Sequence, residues 1–450
     1  MPIRCHPNRT AGGNAAMISQ ADNIALTQVG PGTPMGELMR RYWMPALLSW
    51  ELAEPDGEPV RVKLLGEQLV AFRDTDGRIG LLEELCPHRL ASLWLGRNEE
   101  CGLRCVYHGW KFDVNGQCTD MMNEPADSDF PSKMTTTAYP TIEMGGVIWA
   151  YMGPKEHTPP PPKFEWAAVP DTHRHVTKNI QECNWLQALE GGIDSAHATI
   201  LHRTLRPDTP HAGLRIDSAH VQGRPPDLEV DITDYGYRYA GIRSLGDEGN
   251  HVRAYHFIMP FHQIRASQRG YRGRPGPVGF LASGHMWVPM DDHSVMVWNW
   301  DLSYDDPIEA EERTDMDRSY GRGPEHMLDS FRTRVNRDNN WMIDRAVQKT
   351  ETFSGIDGVN AQDVAVQESM GYVVDRTREN LSRTDMAIIY ARRQLLQATR
   401  TVAEGGVPPG AGDNYYMLRP AQAILPVGVD WRDALWDALY PDGSQERDGK

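Results

Sequence analysis

From Glu58 onward, apolar and polar positions alternate in three short runs, VRVKLLG, QLVAFRD and IGLLEEL. A period of two marks strands that bury one face. The Gly66-Glu67 and Asp76-Gly77 pairs between them suit hairpin turns. GWKFDVNGQC adds a run with an Asn115-Gly116 turn, and GGVIWAYMG ends the series. This pattern predicts a small antiparallel β domain over residues 45–158, preceded by a segment 1–44. Within that segment, residues 1 to about 25 are polar and read as loosely ordered, and Met35–Trp50 carries helical spacing until Pro45 interrupts it. Pro159 to Pro162 cannot extend a helix or a central strand and read as a stiff connector into a second domain, 159–450. There LEVDITDYGYRYAGIRS, HVRAYHFIMP and HSVMVWNWDLS again alternate as sheet strands do.

Composition narrows the function. The chain has 450 residues, 40% of them hydrophobic and 24% charged, room for two or three domains with ample core. Its net charge is −16 and no basic stripe appears, which excludes nucleic acid as a partner. A protein this acidic that takes an anion must place arginines against its own field. No apolar run is long enough for a bilayer, so no membrane partner is expected. The six cysteines are unevenly spaced, which points to metal use in a reducing cytoplasm rather than to a disulfide scaffold.

The most specific motif lies inside the β domain, CPHRLASLWLGRNEECGLRCVYHGW. Cys86 and His88 form one pair, Cys105 and His108 another, with sixteen residues between the pairs. Two such hairpin loops can clamp a metal centre. Two Cys and two His can hold zinc. They can also hold a Rieske [2Fe–2S] cluster, where two cysteines bind one iron and two histidines the other. Zinc fingers usually segregate the two residue types, whereas here each loop gives one of each, which favours the cluster. Cys101, Cys118 and Cys183 lie outside both loops and read as buried free thiols, and Cys5 sits in the polar tail.

A second constellation is NWLQALEGGIDSAHATILHR, from Asn184 to Arg203, with Asp194, His197 and His202. Two imidazoles and a carboxylate suit ferrous iron with open positions. On a straight helix His197 and His202 would stand about 140° apart. They share a metal only if the helix ends, bulges or tightens between them, so an irregular helix is expected.

With these motifs and AQDVAVQESMGYVVDRTRENLSRTDMAIIYARRQLL, the sequence resembles the catalytic subunits of Rieske non-haem iron aromatic-ring-hydroxylating oxygenases, in particular the phthalate dioxygenase-like group. The likeness runs from about residue 40 to about 400. It implies an α+β chain, with an all-β Rieske domain followed by a helix-grip catalytic domain built on an antiparallel sheet. Of the carboxylates Asp357, Asp363 and Glu368, the likeness puts the third iron ligand at Asp363. Asp194 is implied to bridge the two metal centres, bonding His197 and a cluster histidine, with His108 favoured over His88. The two centres of one chain are expected to be too far apart for this, so the bridge runs between subunits and requires a ring, a homotrimer or a multiple of it.

Arg224 and Arg253 fall where phthalate-oxidising members carry carboxylate-binding groups, Ser195 directly follows the implied bridge Asp194, and Arg215, Arg243 and Arg265 stand in reserve. Arginine grips a carboxylate with two parallel hydrogen bonds. The implied activity is insertion of O2 into an aromatic carboxylate, a phthalate-like diacid or a substituted benzoate. Electrons come from NADH through a separate flavin/iron–sulfur reductase. The alternative is a monooxygenase that O-demethylates a methoxybenzoate. The absence of a Gly-rich nucleotide fingerprint fits an external reductase.

Overall fold

The computed structural model describes residues 18–125, 127–216, 218–222, 225–268, 280–412, 417–443 and 445. The alternating runs of the first half form three small antiparallel sheets. Trp43–Leu48 pairs with Val147–Tyr151, and that strand with Thr141–Met144. Val60–Leu64, Glu67–Arg73 and Ile79–Glu83 make the second sheet, and Arg97–Glu99, Gly102–Arg104, Trp110–Phe112 and Cys118–Met121 the third. The first hairpin of the second sheet turns at Leu65-Gly66, one residue earlier than its sequence suggests, since Leu64 pairs with Glu67. Both turn residues have positive φ, 49° and 80°, as a two-residue turn between twisted strands requires.

Two expectations are corrected at the N-terminus. Helical spacing in Met35–Trp50 is realised only over Pro34–Met39, while Trp43–Leu48 is a fully buried strand containing Pro45. The strand tolerates this proline because it lies at the sheet edge, and the register shifts beside it. Secondly, helix α1 (Gln20–Thr27) starts inside the stretch read as loosely ordered. Ser19 caps it, and the Leu26 carbonyl accepts a bond from the Trp185 indole at 3.1 Å.

Beyond the prolines one antiparallel sheet dominates. Six strands from Asp227–Thr233 to Val295–Ser303 follow one another as a meander, and Arg174–Gln181 pairs with the last of them. Ala421–Leu425 adds a further strand beside Asn250–Ile258. Four helices matter for the site, α2 (Trp185–Ile193), α3 (Ala198–Leu201), α4 (Val359–Ser369) and α5 (Met386–Ala403). Helix α5 is tied to the sheet by Tyr237, whose hydroxyl donates to the Ala387 carbonyl at 2.9 Å. Two glycines let α2 slide in close. A Cβ on Gly192 would come within 1.9 Å of the Trp287 ring, and one on Gly191 within 1.8 Å of the Gln367 amide on α4.

One apolar core runs from Trp43 and Trp149 through Trp185 to Trp298, across the proline connector. The third sheet shares a separate small core with Val70, Phe72 and Leu82 of the second, and this core contains Cys86 and Cys105. The Leu65-Gly66 turn locks the two halves together, as its amides donate to the Pro289 and Met290 carbonyls at 3.1 and 2.8 Å. Lys63 pairs with Asp291 beside it.

Helix α2 is anchored by a buried charge. Glu190 receives Arg376 at 2.9 Å and Arg392 at 2.6 Å. Burial pushes its carboxyl up, but the two guanidiniums outweigh this and hold it below the ordinary 4.5. The network's contribution is therefore complete above that pH and fades as pH falls through the depressed value. Glu190→Gln leaves two buried cations short of charge, and is expected to lower stability at neutral pH by about 3–5 kcal/mol in urea unfolding. A loss below about 1 kcal/mol would mean the charge contributes little.

Candidate metal centres

Helix α2 ends where Asp194 leaves helical geometry, at φ −71° and ψ 116°. Its Oδ1 accepts the Ala196 amide at 2.6 Å and lies 3.4 Å from the His197 amide. A side-chain oxygen that caps the amide two residues on redirects the backbone. The chain re-enters a single helical turn, α3, with His197 at its start and His202 at its end. The expected irregularity is therefore a break before His197 and a one-turn helix after it. It places the two Nε2 atoms 3.3 Å apart.

Helix α4 supplies the third group. Asp363 Oδ1 stands 3.3 Å from His197 Nε2 and 3.3 Å from His202 Nε2. The three atoms make an equilateral triangle, with its centre about 1.9 Å from each corner, just inside metal–ligand bond lengths of about 2.0–2.2 Å. Charge makes the same demand. Burial disfavours protonation of His197, yet Asp194 and Asp363 outweigh it and push the imidazole up to about 10. Burial pushes the Asp363 carboxyl up, and the two histidines overcome this and hold it well below the carboxylate range. The pocket is built around positive charge, which a divalent ion supplies while leaving both rings neutral. His202 is buried, whereas the His197 and Asp363 side chains remain a quarter exposed, although the Asp363 oxygen in the triangle is itself buried.

The other carboxylates are occupied elsewhere. Asp357 accepts the Ala212 amide, and Glu368 accepts the Glu182 amide and the Trp341 indole. Each triangle histidine also has an outer partner. Asp194 Oδ2 approaches His197 Nδ1 to 3.4 Å, an ion-pair distance without hydrogen-bond geometry. His202 Nδ1 meets Gln362 Oε1 at 2.8 Å. Nothing in the sequence marked Gln362, which differs from its neighbours only in where it points.

The Cys/His loops share one backbone plan. The Cys86 carbonyl accepts the Leu90 amide and the Cys105 carbonyl accepts the Gly109 amide, both at 2.9 Å. The cysteine amides bond onward to the carbonyls of Ala91 and Trp110. Leu90 and Gly109 both take positive φ, 60° and 77°. The two turns present their cysteines to the interior and their histidines side by side, with ring centroids 4.4 Å apart. His88 stacks on Trp110 at 4.5 Å. Burial, partly offset by the His88 amide, pushes the Cys86 thiol up to about 11, with Cys105 adding to the shift. Two buried thiolates this close need metal to compensate their charge. Cys118 and Cys183 are buried free thiols as expected, Cys101 is free but only partly buried, and Cys5 lies outside the described residues.

Comparison with known proteins agrees with this arrangement. Residues 42–138 match the Rieske [2Fe-2S] domain model, and residues 150–446 match the model described as LigXa C-terminal domain like. The phthalate 4,5-dioxygenase oxygenase subunit of Pseudomonas putida is 37% identical over 93% of this chain and 94% of its own. The chain belongs to the Rieske non-haem iron oxygenases. The 3-chlorobenzoate-3,4-dioxygenase oxygenase subunit of Comamonas testosteroni is also 37% identical, over 92% of this chain and 96% of its own. Among solved structures, the NdmA QL mutant of Pseudomonas putida CBB5 with theobromine has the same fold, with a TM-score of 0.58 at 20% identity over 86% of this chain and 98% of that one. As a member of this family, the Rieske oxygenase is an oxidoreductase that uses O2, a [2Fe–2S] cluster and a mononuclear iron. No helix of the described residues is long and apolar enough to cross a membrane.

The residues expected to hold a substrate separate. Ser195 is buried, and its hydroxyl lies 3.1 Å from that of Tyr255. The arginine on it is Arg243, which donates to the Ser195 carbonyl at 2.6 Å and to its hydroxyl at 3.2 Å. Arg253 instead donates to the Ala266 carbonyl, with its guanidinium 5.2 Å from the Tyr255 ring. Arg224 lies outside the described residues.

Asp363→Ala is expected to strip the mononuclear iron while labile sulfide and the cluster absorption stay at parent level, because the two candidate ligand sets share no residue. Glu368→Ala should keep its iron. Full iron in Asp363→Ala, measured with sulfide as the internal reference, would show that the triangle is not the iron site.

Proposed function

We propose that this Rieske oxygenase acts on an aromatic carboxylate, adding both atoms of O2 as a cis-diol with NADH-derived electrons from a separate reductase. His197, His202 and Asp363 hold the iron, and Cys86, His88, Cys105 and His108 hold the cluster. The observation that carries the substrate reading is Arg243. It is fully buried, no carboxylate pairs with it, and its Nε and Nη1 have no hydrogen-bond partner among the described residues. Burial lowers its guanidinium. Tyr255 and Asp194 offset this only in part, and a substrate carboxylate would meet the two unbonded N–H groups. Burial pushes the Tyr255 phenol up, but Arg253 and Arg243 prevail, with smaller help from Ser195 and Arg265, and bring it below its ordinary value. Several arginines thus converge on one small region, next to the Asp194 turn. Phthalate and 3-chlorobenzoate, named for the two relatives, are both aromatic carboxylates.

When bound, the iron supplies oxygen activation and the cluster supplies electrons one at a time. The protein's residues do the positioning. Arg243 and Ser195 fix the acid end of the substrate. Asp194 orients His197 through its outer nitrogen. Asp194 is also the link along the electron path to the partner subunit's His108. Within one chain no hydrogen bond or ion pair joins Asp194 to His108 among the described residues, while Asp194 keeps about a fifth of its side chain exposed. Leu90, Val106 and Tyr107 on the cluster loops are exposed, as are Val366 and Met370 on or just after α4. A link between unlike surfaces of two copies builds a head-to-tail ring, and a homotrimer is the simplest that closes.

Given a panel of phthalate isomers, substituted benzoates and methoxybenzoates, the enzyme is expected to release cis-diols. Formaldehyde from a methoxybenzoate would instead identify an O-demethylase. Arg243→Met should raise the apparent KM for the preferred acid by about 100-fold or more, the equivalent of a buried charge pair, with iron content unchanged. An unchanged KM would remove Arg243 from the substrate site.

Asp194→Asn should retain both metals but lose most of the transfer between them, because an amide can accept at only one oxygen and carries no charge. In a single turnover started with reduced cluster, substrate and oxygen, reoxidation of the cluster chromophore reports the transfer directly. Parent-like reoxidation would exclude the link.

A further inference from the structure

We infer that Gln362 is a positioning residue for the iron centre, fixing His202 in the tautomer that presents Nε2 to the metal. The inference rests on the iron reading above and adds a residue to it. Gln362 is fully buried. Its amide has only one orientation that satisfies both neighbours, because Nε2 donates to the Ile356 carbonyl at 2.8 Å. The oxygen therefore faces His202 Nδ1 at 2.8 Å. An oxygen in that place can only accept, so Nδ1 carries the proton and Nε2 is left with a free lone pair. Nε2 is the atom that lies 3.3 Å from both His197 Nε2 and Asp363 Oδ1.

The same side chain ties three pieces together. Gln362 directly precedes Asp363 on α4, bonds the histidine that closes α3, and bonds the Ile356 carbonyl in the loop before α4. Thr204, two residues after His202, bridges to Thr352 at the start of that loop. A shift of α4 relative to α3 thus moves the Gln362 bond and the Asp363 corner of the triangle together. The two iron histidines are held differently. His197 faces a charged, partly exposed carboxylate, and His202 faces a neutral, buried amide. His202 is the fixed corner of the site.

The test uses the full chain with its cluster in place, as parent, Gln362→Met and Gln362→Glu. Methionine has similar length and no acceptor for the ring N–H. Glutamate restores an acceptor and makes it a carboxylate, which raises the basicity of the ring as a ligand. Two readouts do not depend on turnover. The first is ferrous-iron affinity against a competing chelator, with labile sulfide as the check that the Rieske half is intact. The second is the EPR signal of the nitric oxide adduct of the mononuclear iron, recorded with the cluster oxidised and EPR-silent. Gln362→Met is expected to lose affinity by about 10–100-fold, and Gln362→Glu to hold its iron with a shifted signal. Parent affinity and an unchanged signal in Gln362→Met overturn the inference. If Gln362→Met does not fold, Gln362→Glu decides, and an unchanged signal there overturns it as well. A parent protein with no iron beyond its cluster would defeat the iron reading itself, before any variant is compared.

Discussion

Everything at the catalytic centre depends on one carboxylate oxygen and one amide. By accepting the Ala196 N–H, Asp194 ends α2 and turns the chain so that His197 and His202 flank a single helical turn. Without that break the two rings would point to different sides of one helix. The rest of the architecture holds the turn in place. Glycines 191 and 192 let α2 press against the sheet and α4. Glu190 clamps the helix to Arg376 and Arg392. Arg243 and Tyr255 reach up from the sheet to Ser195, immediately after the turn. The same aspartate thus sets the backbone and stands 3.4 Å from the outer nitrogen of His197.

The parts of this site that were legible in the sequence share a property. Each is fixed by local spacing. The Cys/His pairs sit in short loops whose hydrogen bonds close within five residues, so spacing alone limits what they can reach. The irregular helix was legible because five residues do not return to one face of an α-helix. Asp363 was reached by likeness, and its Oδ1 stands 3.3 Å from the Nε2 atoms of both His197 and His202. What could not be read depends on register across the sheet. Arg243 and Arg253 sit on paired strands, Gly241 opposite Arg253, and which of them reaches Ser195 is decided by facing and depth rather than by neighbours in sequence. Gln362 has no local signature. Pro45 misled because a proline at an edge strand shifts the register without ending the strand, and α1 was missed because distant partners hold it, Trp185 donating to the Leu26 carbonyl and Asn23 to the Val374 carbonyl.

The charges show a division of labour. The chain as a whole is strongly acidic, yet its catalytic sheet concentrates arginines where few carboxylates answer them. Around Glu190 the arginines are neutralised and serve the fold. Around Tyr255 they are left partly unanswered. The first arrangement stabilises the scaffold, and the second leaves positive charge beside the Tyr255 phenol.

The Leu65-Gly66 turn has a consequence for motion. Its two amides, the adjacent Lys63–Asp291 pair and the shared apolar core fasten the cluster-bearing half to the catalytic half. A redox head on a loose tether can swing between donor and acceptor and so meet each in turn. Here those contacts hold the head against the catalytic half of its own chain, so a donor has to travel to the cluster rather than wait for the cluster to arrive.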